Sequence, residues 1–254
     1  MQNGGLRTRG ITKTSTPEHP LITVVTVVFN GEATLEQTIQ SVVNQTYDNV
    51  EYIVVDGNST DRTLEIIKKY EDKIDYWQSE PDKGIYDAMN KGIALANGDW
   101  INFMNSGDSF YNTKVVSNIV KLFSPGNSYF GDYFDLSQNK ILKQNKQKDV
   151  LLSNINHQTI FYYLNLLKAN KFDLSYKILS DWYTNLKLFK LKKFIYIDYI
   201  IANYEGMGVS ITRRDDFFYK NYWSNIFKLY GFTSIFKVFF RRLFRKLIYL
   251  LNTK

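Results

Sequence analysis

Residues 100–111 read Trp-Ile-Asn-Phe-Met-Asn-Ser-Gly-Asp-Ser-Phe-Tyr, and the choice of fold depends on how they are read. Trp100 to Met104 alternates like a short strand, then stops abruptly on Asn105, Ser106, Gly107 and Asp108. Those four residues are turn formers rich in oxygen. A carboxylate at the carboxyl end of a sheet strand faces the crevice where open α/β sheets bind their ligands. Asp and Asn oxygens suit a hard divalent cation, which in turn suits a diphosphate. Taken alone, the four residues read first as a polar turn between strand and helix. The flanking segments decide.

Toward the N-terminus, Ile85 to Leu95 carries Ala88, Met89, Ile93 and Leu95 at helical spacing and ends on Asn97-Gly98. Before it come a short strand (Ile74 to Ser79) and a loop (Glu80 to Gly84). Val50 to Val55 is a near-continuous β-branched run ending on Asp56. A polar turn (Gly57 to Thr60) and a helix through Leu64, Ile67 and Tyr70 follow it. Leu21 to Phe29 is a run of the same buried kind, ending on Asn30-Gly31, with a helix through Leu35, Ile39, Val42 and Val43 behind it. The alternation predicts an α/β fold: a Rossmann-like, mostly parallel central sheet with helices on both faces. In such a sheet the polar strand ends gather along one edge.

Toward the C-terminus the pattern loosens. Val115 to Phe123 reads as helix, Tyr129 to Leu136 as strand, and Lys140 to Lys148 as a charged connection. Asn156-His157-Gln158 precedes a Tyr-rich apolar run to Leu167. Ser180 to Leu191 is helical with Asp181 in its first turn, and Phe194 to Ala202 is a strand. Asn203 to Ser210 is a loop with two glycines, suited to act as a lid.

The chain has 254 residues, no cysteine, 44% hydrophobic and 16% aromatic residues, which exclude a disulfide scaffold, a thiolate metal site and a disordered polymer. The organisation expected is a mobile leader over 1–20, a domain over 21–211 and a basic tail over 212–254. Within the domain, 21–112 is the ligand-binding half and 113–211 the second half. The tail holds ten basic and two acidic residues, a balance of +8 against +7 for the whole chain, so the remainder is near −1. From Phe232 to Leu251 apolar residues recur at helical spacing with Lys237, Arg241, Arg242, Arg245 and Lys246 among them. That pattern predicts an amphipathic helix at an anionic membrane surface, or else docked on the domain or a second subunit. Large aliphatics outnumber the charges and no base-reading motif is present, so nucleic acid is not the expected partner. With no export signal and no apolar run of about 20 residues, the expected location is cytoplasmic, peripheral at the inner membrane face.

Five segments resemble the family 2 inverting glycosyltransferases, nucleotide-sugar-dependent enzymes with a type A fold. They are Val-Thr-Val-Val-Phe-Asn (25–30), Gln-Ser-Val-Val-Asn-Gln-Thr-Tyr (40–47), Val-Val-Asp-Gly-Asn-Ser-Thr-Asp-Arg-Thr (54–63), Asp-Lys-Gly-Ile-Tyr-Asp-Ala-Met-Asn-Lys-Gly-Ile (82–93) and Gly-Asp-Trp-Ile-Asn-Phe-Met-Asn-Ser-Gly-Asp (98–108). They occur in the family's order and spacing. Asn-His-Gln (156–158) and Ser-Asp-Trp-Tyr (180–183) more loosely resemble acceptor-side segments of its bacterial surface-polysaccharide branch.

The resemblance implies roles. Val27 and Phe29 border the nucleobase, Asn30 lies near the ribose, and Asp56 accepts from the base, most simply a uracil N–H. Asn58, Lys83, Asn105 and Ser106 complete the nucleotide-sugar site, with Lys83 at the diphosphate. Where family members often carry a second acid after Asp56, this chain has Gly57, and Asn105 and Gly107 stand where acids are common in the metal motif. Asp108 remains to hold Mg²⁺ or Mn²⁺. His157, Gln158 and Trp182 fall at the acceptor or diphosphate, and Asp181 is the general base that takes the acceptor's proton. The product implied is a saccharide or lipid-linked saccharide of an O-antigen, capsule or exopolysaccharide, made from a UDP-sugar, with oligomerisation left open. The alternative is a non-catalytic nucleotide-sugar-binding or scaffold subunit. A nucleotidyltransferase would need a Gly-rich, basic loop after the first strand, and Asn30-Gly31-Glu32 is not one.

Overall fold

The computed structural model describes residues 1–144, 150–206 and 213–252. The β-branched runs form the centre of its sheet. β2 (Ile22–Val28) and β3 (Val50–Asp56) are parallel, with Ile22 opposite Val50 and Val28 opposite Asp56, and every residue of both is buried. β4 (Tyr76–Ser79) lies parallel beside β3, and β5 (Trp100–Phe103) lies parallel beside β2. All four run the same way, so the polar turns that follow them meet at one edge. Period-two alternation divides the core between the faces. Ile22, Val24 and Val54 pack with α1 (Leu35–Val43) and α2 (Thr63–Lys69). Val25, Val27, Ile53 and Val55 pack with α3 (Ile85–Leu95) on the other face. This is the expected α/β architecture.

The first 20 residues are not the mobile leader expected. β1 (Gln2–Gly4) pairs antiparallel with β4, and a short 3-10 turn over Leu6–Arg9 follows it. Arg7 reaches Glu51 at 3.4 Å and the carbonyl of Leu95 at 2.9 Å, and Lys13 meets the buried Asp75 at 2.9 Å. Three residues of strand and scattered cations carry no periodicity, so only their partners reveal them.

Past β5 the sheet changes direction. β6 (Ser109–Phe110), α4 (Val115–Ile119), β7 (Ser128–Asp135) and β8 (Lys140–Leu142) lead to a 3-10 turn over His157–Thr159. Then come β9 (Ile160–Tyr163), α5 (Leu164–Ala169), α6 (Ser180–Lys190) and β10 (Phe194–Tyr204). β9 inserts between β5 and β7, antiparallel to both, with Trp100 opposite Tyr163 and Tyr129 opposite Phe161. The sheet order among the described residues is β1-β4-β3-β2-β5-β9-β7-β10-β6, with β8 on β7. Of the loop expected over Asn203–Ser210, Asn203 and Tyr204 belong instead to β10, and 207–210 lie outside the described residues.

The C-terminal segment is two helices rather than one tail. α7 (Asp216–Tyr230) is capped by Asp215, whose carboxylate accepts from Phe218 N–H, and it buries Phe218, Tyr222 and Ile226 against Trp182, Leu186 and Tyr176. The α7 part therefore belongs to the domain. α8 (Phe232–Asn252) adds Val238 to that cluster and leaves Phe232, Phe236, Phe239 and Phe240 exposed. No helix among the described residues is long and apolar enough to cross a membrane.

Candidate active site

The turn after β5 is held from α1. Thr38 Oγ1 donates to the Asp108 carbonyl at 2.7 Å and accepts from Gly107 N–H at 3.1 Å. Gly107 has φ of +101°, a conformation open to glycine. The turn delivers Asp108, 7% exposed, to the edge of the sheet. Burial pushes its carboxyl up to about 6, against the pull of the Gln158 amide, of His157 and of the Glu205 backbone N–H, and the Glu205 charge adds to the rise. The Gln158 Nε2 lies 2.6 Å from Asp108 Oδ2.

Asp181 enters from the other half of the chain, in the first turn of α6. Its carboxylate accepts from Tyr86 Oη at 2.9 Å, Asn154 Nδ2 at 2.8 Å and Trp182 N–H at 2.8 Å. His157 Nδ1 stands 3.3 Å from its Oδ2, and His157 Nε2 lies 2.8 Å from Asn105 Nδ2. One neutral tautomer satisfies both contacts: Nδ1–H donates to the carboxylate and Nε2 accepts from the amide. A chain of hydrogen bonds thus runs from the β5 turn to Asp181. Burial, and then the Asp181 charge beside it, push the Tyr86 phenol well above its ordinary range, which keeps it a donor.

Asp108 and Asp181 open onto one cleft of about 610 Å³, whose walls include Thr34, Ser106, Lys177 and Glu205. Asn105, His157 and Gln158 line it too. The donor set for a cation is oxygen: the Asp108 carboxylate, Glu205, and the Asn105 Oδ1, which is buried with no hydrogen-bond partner. Such a set fits a hard cation that completes its shell with phosphates and water. No group of three or more His, Asp or Glu able to hold a metal occurs among the described residues.

The nucleotide-side residues cluster farther along the same edge. Phe29 is 64% exposed at the tip of β2, whereas Val27 is buried beneath it. Asn30, at φ of +50°, donates its N–H to Ser59 Oγ and accepts Thr60 N–H on Oδ1 at 2.9 Å. Asn58, at φ of +67°, and Lys83 are exposed. Asp56 is fully buried, and its two oxygens take the Ser59 N–H, the Ser59 hydroxyl and the Ser79 hydroxyl. A side chain on Gly57 would start 2.5 Å from Asp82 Oδ2 and 3.4 Å from the Phe29 ring. The less buried carboxylate beside Phe29 is therefore Asp82, which the sequence reading passed over.

Trp182 is a correction. Instead of reaching the acceptor side of the cleft, it is 5% exposed, donates to the Val150 carbonyl at 2.7 Å and stacks on Phe218 at 5.0 Å. Tyr86, Asn154, Thr34 and Glu205 were missed. Only the spacing of Tyr86 in α3 hinted at an inward face.

Known proteins share this fold. A family model described as Glycosyl transferase family 2 matches residues 23–248. A PGL/p-HBAD biosynthesis glycosyltransferase of Mycobacterium bovis is 31% identical over 213 residues, covering 79% of this chain and 83% of that protein. An uncharacterized glycosyltransferase of Haemophilus influenzae is 32% identical over 164 residues, 61% of this chain and 60% of that one. Among solved structures, S. aureus TarS 1-349 in complex with UDP-GlcNAc superposes with a TM-score of 0.69 at 18% identity, covering 83% of this chain and 67% of that one. The mannosyltransferase PcManGT of Pyrobaculum calidifontis, in complex with GDP-Man and Mn²⁺, gives 0.61 at 18% identity over 81% of this chain and 64% of that one.

Proposed function

The chain belongs to glycosyl transferase family 2, and from that premise we propose that it moves a sugar, with inversion, from a nucleotide diphosphate donor to a saccharide or lipid-linked saccharide acceptor of a cell-surface polysaccharide. The observation that carries the reading is the meeting of Asp108 and Asp181 in one cleft. Inversion by single displacement needs a carboxylate opposite the departing diphosphate, placed to take the acceptor hydroxyl's proton as the new bond forms. Asp181 fills that role. Tyr86, Asn154 and His157 orient its carboxylate. Lys177, on the cleft wall, offers a cation to the phosphates or the acceptor.

A UDP-sugar is the favoured donor, supported by the UDP-GlcNAc complex of the structurally similar TarS. Phe29, Asn30, Asn58 and Asp82 stand at the nucleoside end, with Lys83 on the loop beside them. Asp108 and Asn105 would hold the divalent cation, Mg²⁺ or Mn²⁺, which would supply positive charge to offset that on the leaving diphosphate. The exposed aromatics and basic side chains of α8 bring the enzyme to an anionic inner membrane face, where a lipid-linked acceptor sits.

A thermal-shift screen of nucleoside diphosphates and their sugars, with and without Mn²⁺, tests the donor. A ligand at a hundred times its Kd adds about 2.7 kcal/mol to the folded state. Asp181→Asn is expected to lower transfer by 10³-fold or more while the donor-induced shift survives. Full transfer in that variant overturns the assignment of the base.

A further inference from the structure

We propose that Glu205 supplies the second carboxylate of the cation site, taking the place of the acidic side chains that the turn after β5 lacks. The inference deepens the proposed function and rests on its metal-assisted reading. Within the turn itself, Asp108 is the sole acid; positions 105 and 107 hold Asn and Gly. The geometry repairs that deficit from the far side of the cleft. Glu205 follows directly on β10, whose Asn203 is paired with Ser109, next to Asp108 in the chain. That pairing fixes Glu205 over the turn.

A Cβ added to Gly107 would lie 2.7 Å from Glu205 Oε2. The Glu205 carboxylate thus fills the volume that a side chain at 107 would enter. Glycine at 107 is what makes the approach possible, both through its φ of +101° and through its missing Cβ. Both residues line the cleft with Asp108.

A second observation points to a bound cation. Asn105 is 9% exposed and lines the same cleft, and its Oδ1 is buried without a partner while its amide nitrogen is committed to His157. A buried amide oxygen left unpaired keeps the cost of its lost hydration, so it calls for a donor or a cation. Two carboxylates and one amide oxygen, with two or three phosphate and water oxygens, make an ordinary shell for Mg²⁺ or Mn²⁺. With Glu205 included, the protein contributes two negative charges to the cation. Asp108 alone would contribute one.

The test is binding of MnCl₂ to the full chain, read from loss of the free Mn²⁺ paramagnetic resonance signal, with UDP and separately GDP present. Glu205→Gln keeps the shape of the side chain and is expected to weaken Mn²⁺ binding tenfold or more, with an unfolding temperature in chelator no lower than the parent's. Asn105→Asp added to it moves the acid to the other side of the turn and is expected to restore most of the affinity. Asp198→Asn, on the same strand but outside the cleft, should change nothing. Equal Mn²⁺ affinity in the parent and Glu205→Gln overturns this inference and leaves the metal-assisted reading standing. An equal loss in Asp198→Asn reduces the effect to long-range charge and overturns it as well. A parent chain that binds a nucleoside diphosphate but never Mn²⁺ overturns both.

Discussion

Asp108 carries its proton up to about 6, against 3.8 for a free carboxyl, because it is nearly out of reach of water. The folded chain therefore holds this proton more tightly than the unfolded chain, and between about pH 4 and pH 6 it binds more protons. Raising the pH through that window removes stability. Above it, the metal-free protein holds a buried charge that the Gln158 amide and the Glu205 backbone N–H only partly offset, an unfavourable balance of about 1–3 kcal/mol. In chelator, Asp108→Asn is expected to raise the unfolding temperature at pH 8 by several degrees, and the gain should vanish below pH 4. A variant less stable than its parent at pH 8 would show that the carboxylate is not strained there. The residues of the cleft were unevenly legible. Asp181 and His157 sit beside recognisable element boundaries, so their positions followed from the chain. Asp56 looked the same, yet its oxygens are taken by Ser79, 23 residues further on, and by Ser59. Trp182, one residue from Asp181, is turned about 100° round the helix and packs on Phe218 instead. Strand ends can be located from sequence; the partners of a buried carboxylate depend on tertiary packing.

The elements followed the strength of their periodicity. α1 and α3 match their sequence-read spans because apolar residues recur over nine and eleven residues. β9 is four apolar residues, too short to show a period, and was read only as a Tyr-rich run. β1 was read as a leader. Its anchoring makes a specific demand on Glu51, which is 3% exposed and accepts from Thr23, Asn97 and Arg7. Removing one partner of a buried ion pair is destabilising by about 3–5 kcal/mol, and less where the cation keeps some water. Arg7 is 23% exposed. Arg7→Ala should therefore lower the unfolding free energy by about 1–3 kcal/mol in a denaturant titration; no change would mean that β1 and its turn are dispensable to the domain.

At the scale of the molecule, the C-terminal helices divide their work. α7 fills a hydrophobic cluster with α6, so a truncation inside it would expose Trp182, Leu186 and Tyr176 and damage the fold. α8 instead presents Phe232, Phe236, Phe239 and Phe240 to solvent with Lys237 and Arg241 among them. A chain ending at Gly231 is expected to lose sedimentation with vesicles of anionic lipid while keeping its donor-induced thermal shift. Undiminished sedimentation would remove α8 from any role at the membrane. The cross-bracing of the cleft has a kinetic consequence. Asp108 is tied to Gln158, and Asn105 to His157, on one 3-10 turn, and His157 in turn touches Asp181. A donor bound as proposed against Asp108 and Asn105 would pull on that single turn before any acceptor arrives, so the two substrates should enter in a compulsory sequence, donor leading, and the spent nucleotide should be the last to leave.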